Sequence, residues 1–361
     1  MLLFQDFLDQ SKQLNQAQKH VELNYHPPKD KYKIVHQKLI IADLPAPLRY
    51  LNFCSFIGQA NNPVFRNQSA IQTSALDTAT VLASTSPNML GQLSSYSIAQ
   101  DCLFDIDQEG IADFKFAHKE QVQGQRPTFK ILREDDELSF NLNIQTNNLT
   151  SHLLNLKFGF VEHWSLVAQC EGEIKYKEQV FNIQHSGAFE YARLVNFPYV
   201  SYSFYTYQLI QLNPELQIIF SQSRDQLNHI LQSRIYIRDS KTQSMKMLDR
   251  HVELNIHRVF PKITTINQQD MYLPREFEWL YQDDEIKINL QAQSRGDYKF
   301  GLGAGYVGSF AYQVQLNEDH YEGEGGYCEY IDNRPLKWQE IDKNLKIPSN
   351  SGNAAYILLK K

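Results

Sequence analysis

Cysteine is scarce in this chain of 361 residues. The four cysteines lie far apart in the sequence, at Cys54, Cys102, Cys170 and Cys328. None forms a CxxC pair or a Cys/His ligand pair, so neither a disulfide framework nor a cysteine-based zinc site is predicted. His251 and His257 also lack the spacing of a ligand pair, and no metal site is predicted. We expect reduced, mostly buried thiols in a reducing compartment.

Long basic runs and long apolar runs are also missing. The net charge is −6, and no basic stretch is long enough to follow a phosphate backbone, so nucleic acid is not an expected partner. No segment reaches the roughly 20 apolar residues that span a bilayer. The first twenty residues lack the basic region and cleavage site of a signal peptide. These absences together predict a soluble, cytoplasmic protein without an integral membrane segment.

Aromatic residues are abundant, with 21 Phe and 20 Tyr, and they favour β-structure. From Tyr32 onward, short strand-like runs alternate with Pro, Asn, Asp and Gly at intervals of about 8–12 residues, which is typical of antiparallel sandwiches and barrels. Before them, apolar residues at helical spacing predict an amphipathic helix over residues 2–19. We expect this helix to pack either on its own barrel or on a partner subunit, where it would form a homodimer.

The chain contains one pattern twice, which indicates duplication of a whole domain. Three anchors recur in the same order: Asp135–Glu137 with Asp283–Glu285, Gly159–Val161 with Gly305–Val307, and Glu190–Tyr191 with Glu329–Tyr330. The length is comfortable for two domains of ordinary size. We therefore predict an N-terminal helical arm at 1–28, a first β domain at 29–193 and a second at 194–361.

The two closing motifs carry a resemblance to a known group. Phe189-Glu190-Tyr191 and Gly326-Tyr327-Cys328-Glu329 resemble the closing-strand motifs of the tandem lipocalin-like (calycin) superfamily, which includes AttH-like proteins, carotenoid 1,2-hydratase-like proteins and lipocalin-fold Diels–Alderases. The resemblance implies an all-β fold of two consecutive antiparallel barrels. The Asp-His pair of the hydratase motif is absent from Gly187–Arg193, so the resemblance does not imply that activity. The segment Leu44–Tyr50 also resembles uncharacterised bacterial proteins.

Glu162-His163-Trp164 is the most reactive-looking triplet. On a strand, Glu162 and Trp164 share one face and His163 points to the other. Either face could therefore line the cavity of the first barrel, and a histidine or a buried glutamate can transfer protons near neutral pH. The alternative is a core tryptophan with polar neighbours at the rim.

Glu190, Tyr191 and Arg193 form the second candidate group, with Glu190 facing away from the other two. Recurrence of Glu-Tyr at Glu329 suggests a shared structural role, such as an ion pair between the two domains. In the functional alternative, Glu190 and Glu329 face one cavity between the domains. One glutamate would then raise the pKa of the other, which could act as an acid.

Further candidates for lining a cavity are His185, Tyr327 and Tyr330. The stretch YSFYTYQL at 202–209 alternates aromatic residues and either lines a cavity or packs as a sheet face. Gly303, Gly305 and Gly308 match GxGxxG, but a strand pattern follows where the dinucleotide motif requires a helix. No cofactor is predicted.

Three functions remain open. The favoured one is binding of a hydrophobic small molecule, such as a lipid or isoprenoid, in a barrel or in the cleft between the domains. The second is a cofactor-independent hydratase, isomerase or cyclase that uses Glu190, Glu329 or His163 for proton transfer. The third is a structural or interaction protein whose barrels are filled by their own side chains.

Overall fold

The chain folds into two curled antiparallel sheets, so the all-β prediction is confirmed. A computed structural model describes residues 9–17, 22–87, 92–196 and 202–339. The first sheet closes most of the way to a barrel, and the second forms about half of one. No helix within these ranges is long and apolar enough to cross a membrane.

Within the described residues, the first sheet contains eleven strands in the order β4-β3-β2-β1-β11-β10-β9-β8-β7-β6-β5. Their bounds are β1 Tyr32–Ile41, β2 Leu51–Ile57, β3 Thr78–Thr85, β4 Gln92–Ser97, β5 Cys102–Ile106, β6 Ala112–Phe116, β7 Glu120–Gln125, β8 Thr128–Arg133, β9 Leu138–Leu156, β10 Val161–Tyr176 and β11 Gln179–Val195. Paired strands are consecutive in the chain except β1 and β11, which join in the middle of the sheet, while the consecutive strands β4 and β5 lie at its opposite edges.

The second sheet contains ten strands, nine of them in the order β15-β14-β13-β12-β23-β22-β20-β19-β16, with β21 paired to β22. Their bounds are β12 Phe204–Gln211, β13 Leu216–Arg224, β14 Ile230–Asp239, β15 Ser244–Leu248, β16 Glu253–Val259, β19 Pro274–Gln282, β20 Lys287–Ser294, β21 Lys299–Leu302, β22 Gly305–Leu316 and β23 Asp319–Asp332. A separate two-stranded ribbon joins β17 Ile263–Thr264 to β18 Asp270–Met271. The opening strand again pairs with the closing strand, here β12 with β23.

Two of the three repeat anchors occupy equivalent places. The acidic triplets form the turns between β8 and β9 and between β19 and β20, where polar residues are solvated. The alignment of Gly159–Val161 with Gly305–Val307, the Gly-aromatic-Val anchor, is wrong by four residues. Across the strands, Glu190 pairs with Ser165, whereas Glu329 pairs with Val307. Ser165, and not Val161, is therefore the counterpart of Val307. The limits predicted for the domains stay a prediction.

The amphipathic helix is shorter than predicted within the described range. Helix α1 is Ser11–Ala17, because Asp9 lies in a β-bridge with Leu156 and its carboxylate accepts a hydrogen bond from the Ser11 backbone (2.9 Å). Residues 2–8, 18 and 19 of the predicted helix lie outside the described residues. Short helical turns occur at α2 Ile98–Asp101 and at the 3-10 segments Gln68–Ala70, Lys157–Gly159 and Leu336–Trp338.

Helix α1 packs on its own chain, between strands of the two sheets. Asn15 donates to the carbonyl of His152 (2.8 Å) and accepts from its N–H (2.9 Å). Lys12 pairs with Asp249 (2.6 Å), which directly follows β15 of the second sheet. The described part of the arm therefore docks in cis, while the homodimer stays a prediction.

Side chains of the chain itself fill the concave face of each sheet. Trp164, Phe189 and Tyr191 belong to the core of the first sheet, and Phe277, Trp279 and Phe310 belong to that of the second. The segment before β1 adds Tyr25, whose ring lies 4.9 Å from Phe129 and whose hydroxyl donates to Gln37 (2.8 Å). A third apolar cluster joins the sheets and includes Ile40, Ala188, Leu209 and Tyr327.

Candidate functional site

Ionisable side chains meet in the middle of this third cluster, where the central strands of the two sheets face each other. Side chains alternate along a strand, so Leu39 and Phe189 enter the first core, while Lys38 and Glu190 point toward the second sheet. Lys38 and Glu190 are cross-strand partners, as are Tyr207 and Glu329. The pairing makes Tyr207 the counterpart of Lys38 in the second half.

Each opening-strand residue contacts the glutamate of the other sheet. The Lys38 ammonium lies 2.9 Å from Glu329 Oε1 and 2.8 Å from Glu190 Oε2. The Tyr207 hydroxyl donates to Glu190 Oε1 (2.6 Å), and its ring lies 4.1 Å below the ammonium. All three charged side chains are at most 2% exposed. We call Lys38, Glu190, Glu329 and Tyr207 the clasp.

The environments of the two glutamates move their pKa values in opposite directions. Burial tends to raise the pKa of Glu190, but the Lys38 charge and the His163 contact outweigh it and lower the pKa below its ordinary value. Burial raises the pKa of Glu329, and the charge of Glu190 adds to the rise against the opposing effect of Lys38. The surroundings therefore favour the ionised form of Glu190 more strongly than that of Glu329.

The Tyr327 hydroxyl lies between two oxygen acceptors, and the Lys38 ammonium also donates to one of them, Glu329 Oε1. The Tyr327 hydroxyl lies 3.0 Å from Asn52 Oδ1 and 2.9 Å from Glu329 Oε1. A hydroxyl carries one proton and can donate to only one acceptor. If Glu329 is protonated, it donates to Tyr327, which then donates to Asn52, and both contacts are satisfied.

Two histidines extend the clasp toward solvent. His163 is 17% exposed, and its Nε2 lies 3.3 Å from Glu190 Oε2. His36 stacks on Phe56 at 4.4 Å and donates from Nδ1 to the carbonyl of Ser55 (2.9 Å). Burial, with the charges of Lys38 and His163, lowers the pKa of His36 to about 3. Ligand atoms of His36, His163 and Glu190 all lie within 4.8 Å of one another, so these residues could hold a metal ion.

A buried arginine approaches the clasp from strand β14. Arg238 donates to Ser165 Oγ (2.9 Å) and to Gln217 Oε1. Burial lowers its pKa, while Tyr207 and Glu190 act in the opposite direction. The positive charge near Glu190 therefore comes from both sheets.

The structure separates the predicted site residues into two groups. His163, Glu190, Tyr327 and Glu329 come together at the clasp. The other group, Glu162, Trp164, Tyr191 and Arg193, lies on the opposite face of β10 and β11 and holds the segment before β1.

Contacts with that segment account for the second group. Arg193 donates to both oxygens of Glu162 (2.6 and 3.0 Å) and contacts His26 (2.7 Å). The Trp164 indole donates to the carbonyl of Asn24 (3.3 Å), and the Tyr191 hydroxyl donates to that of His26 (2.8 Å). These side chains fasten the N-terminal segment over the first core.

Two predicted residues join neither group. His185 bonds to the carbonyl of Ser186 (3.0 Å), five positions from Glu190 on β11. Tyr330 belongs to the core of the second sheet and donates to Asp332 (3.3 Å).

Sequence reasoning missed Lys38, His36 and the specific role of Tyr207. The signal for Lys38 was a lysine inside the otherwise apolar end of IVHQKLII, because a lysine is almost never fully buried unless it is paired. Two hollows of the described surface, of about 490 and 170 Å³, lie beside Asp135 and beside Asp107. Neither is lined by a clasp residue.

Comparison with solved structures defines the class: the chain has the lipocalin-like fold of AttH-type proteins. It is similar to a protein from Nitrosomonas europaea whose AttH assignment is provisional, with a TM-score of 0.58, 12% identity, and coverage of 87% of this chain and 98% of that one. A crystal structure of CghA is similar with a TM-score of 0.50 and 9% identity over 84% of this chain and 89% of that one. At such identities the likeness shows the fold alone.

The sequence places the chain in a particular family within that class. A family model matches residues 54–345, and the chain belongs to this family of unknown function, DUF6670. No curated protein sequence matches the chain.

Proposed function

We propose that the protein binds a small, mostly apolar molecule between its two sheets, with a polar group of that molecule at the clasp. The observation that carries the proposal is a set of ionisable groups enclosed in an apolar, aromatic cluster that both sheets build. Ligand sites are mostly apolar with a few placed polar groups. A buried ion pair is also a poor source of stability compared with apolar packing, which favours a role beyond holding the sheets together.

The proposed location of the ligand, between the two sheets, rests on how the two cores are packed. Their own side chains fill the concave faces of both sheets, which favours the space between the sheets. Phe56, Phe65 and Tyr205 pack against the apolar cluster that encloses the clasp and are only partly buried, and Phe56 stacks on His36. The clasp itself is closed, so entry requires these aromatic side chains to move. The Lys38 ammonium would donate a hydrogen bond to a carbonyl or hydroxyl oxygen of the ligand.

The test compares ligand content in wild type and in a variant with a neutral clasp. Native mass spectrometry and solvent extraction are applied to purified protein, before and after incubation with fatty acids and isoprenoid alcohols. Lys38→Met, Glu190→Gln and Glu329→Gln together remove the charges and keep the side-chain shapes. We expect one ligand per wild-type chain and at least tenfold less in the triple variant.

The matched control is Glu278→Gln, because Glu278 pairs with His257 at the surface (3.4 Å). This variant should retain ligand like the wild type. Equal retention in the triple variant would contradict binding at the clasp. A wild type that neither carries nor takes up any of these molecules would favour the structural alternative, in which the clasp only joins the sheets.

Acid–base conversion of the ligand is the second candidate, and the raised pKa of the buried Glu329 favours it. A neutral carboxylic acid in an apolar site can donate a proton to a substrate, and an adjacent ionised carboxylate can stabilise positive charge. Glu329→Gln removes the transferable proton but preserves the shape. If conversion occurs, extracts of the variant contain a molecule that differs from the wild-type ligand by one water or by isomeric structure. Identical extracts would exclude Glu329 as the acid.

A further inference from the structure

We propose that His36, His163 and Glu190 bind a divalent transition metal ion of the Zn²⁺ type at the edge of the clasp. The inference does not depend on ligand binding between the sheets. It begins with strand register: Ala192 on β11 pairs with His36 on β1 and with His163 on β10. The two imidazoles therefore flank a small side chain, and Glu190 lies two positions away on the same face of β11.

The distances fit the coordination geometry of zinc. Zinc binds imidazole nitrogen and carboxylate oxygen at about 2.0–2.1 Å, so two ligand atoms of a tetrahedral site are about 3.3 Å apart. His163 Nε2 and Glu190 Oε2 are separated by 3.3 Å. A metal ion would replace the proton between these two atoms. All three ligand atoms lie within 4.8 Å of one another, so a modest side-chain rotation completes the set.

The surroundings of His36 prepare it as a ligand. A carbonyl oxygen only accepts hydrogen bonds, so His36 Nδ1 carries the proton that it donates to the carbonyl of Ser55. Its Nε2 is then the basic nitrogen. Metal-binding histidines usually donate their other N–H to a carbonyl or carboxylate in this way. Three protein ligands leave a fourth position for water or substrate, which is the pattern of catalytic rather than structural zinc.

The Lys38 ammonium would compete with the metal ion for the Glu190 carboxylate. Lys38 lies 2.8 Å from Glu190 Oε2, the same oxygen that faces His163. A bound metal ion would take this oxygen, and Lys38 would keep Glu329 as its partner. Arg238 stays on Ser165 and Gln217 of the surrounding strands.

The experiment titrates full-length protein, first treated with a chelator, with Zn²⁺ by calorimetry and with Co²⁺ by visible absorption. We expect one Zn²⁺ per chain and Co²⁺ bands of a four- or five-coordinate site. His163→Gln should weaken Zn²⁺ binding at least tenfold. Because His163 is partly exposed, the substitution should leave the fold intact, and circular dichroism checks this. Absence of a stoichiometric binding event in the wild type would overturn the proposal.

His257→Gln is the matched control because His257 also faces a glutamate, Glu278 at 3.4 Å, but lies outside the three-residue group. It should bind Zn²⁺ like the wild type. Equal weakening in both variants, or no weakening in His163→Gln, would place the metal ion elsewhere and refute this site. Visible absorption bands of octahedral, fully hydrated Co²⁺ would also refute this site, because they would show that the ion is not bound by these side chains.

Discussion

Lys38→Met should destabilise the protein more than the loss of an ordinary salt bridge does. Lys38 is 1% exposed and is the cation that lies between Glu190 and Glu329. Methionine has a similar length and no charge, so the substitution removes the ammonium without opening a large space. The two carboxylates would then remain buried in an apolar cluster without their shared partner.

The magnitude follows from what is left behind. Removing one partner of a buried ion pair costs about 3–5 kcal/mol, because the remaining charge is uncompensated. Tyr207 still donates to Glu190, and Tyr327 still contacts Glu329, which places the expected cost at the lower end, about 3 kcal/mol. A total stability of about 5–15 kcal/mol is usual for a domain, so this loss is a large part of it.

Urea unfolding followed by tryptophan fluorescence measures the effect. Adding Glu190→Gln and Glu329→Gln to Lys38→Met should restore most of the lost stability, because neither glutamate then leaves a buried negative charge without the lysine. Lys246→Met is the control: Lys246 pairs with the exposed Glu285 at 2.8 Å and should change stability by less than about 1 kcal/mol. Equal midpoints for Lys38→Met and Lys246→Met would refute the reasoning about the clasp.

Two further outcomes follow from single residues. Burial lowers the pKa of His152 from 6.5 to about 4, so the neutral form stabilises the fold above pH 6.5 and about 3 kcal/mol is lost as the pH falls to 4. Urea unfolding at pH 7 and at pH 4 measures this loss of stability, and His152→Leu should make it smaller. The control is His118→Leu, because His118 is exposed. An equal loss of stability between pH 7 and pH 4 in the two variants would contradict the prediction. A Cβ on Gly325 would lie 2.2 Å from the carbonyl oxygen of Arg49, so Gly325→Ala should cost about 1–3 kcal/mol by displacing backbone. The Asp43 N–H also donates to the Gly325 carbonyl (2.8 Å), and the Gly325 N–H donates to the Asp43 carboxylate (3.0 Å). An unchanged thermal midpoint would contradict this prediction, because it would show that the backbone at Gly325 and the backbone at Arg49 can separate without loss of stability.

Much of the fold was predictable because strands, turns and alternation are local properties. The acidic triplets mark hairpin turns, and runs such as Tyr32–Ile41 have the composition of strands. The Gly-aromatic-Val anchor was wrong because three similar letters do not define a register. Register depends on which residues bond across the strands, and the pairing shows an offset of four positions. The helix prediction failed at Asp9, whose carboxylate bonds to Ser11 and to Arg234 of the second sheet.

The candidate site was predictable only in part. Alternation along β11 separates Glu190 from Tyr191, and recurrence of the motif singled out Glu329. Neither pattern names the cation between the two glutamates. Lys38 stands in a strand that otherwise looks like core, and its partner Glu329 lies 291 positions away. Contacts at such a separation arise from packing of one sheet on the other, which no local pattern encodes.

Composition, the recurring motifs and the two-residue period of a strand are enough to predict the all-β class, two similar halves and the opposite facing of Glu190 and Tyr191. The tertiary structure alone decided which face of β11 meets the second sheet. It also decided that each opening strand supplies a partner for the glutamate of the other half. Burial then determines the chemistry, because an apolar interface makes the pKa values of Glu190 and Glu329 depend on one lysine.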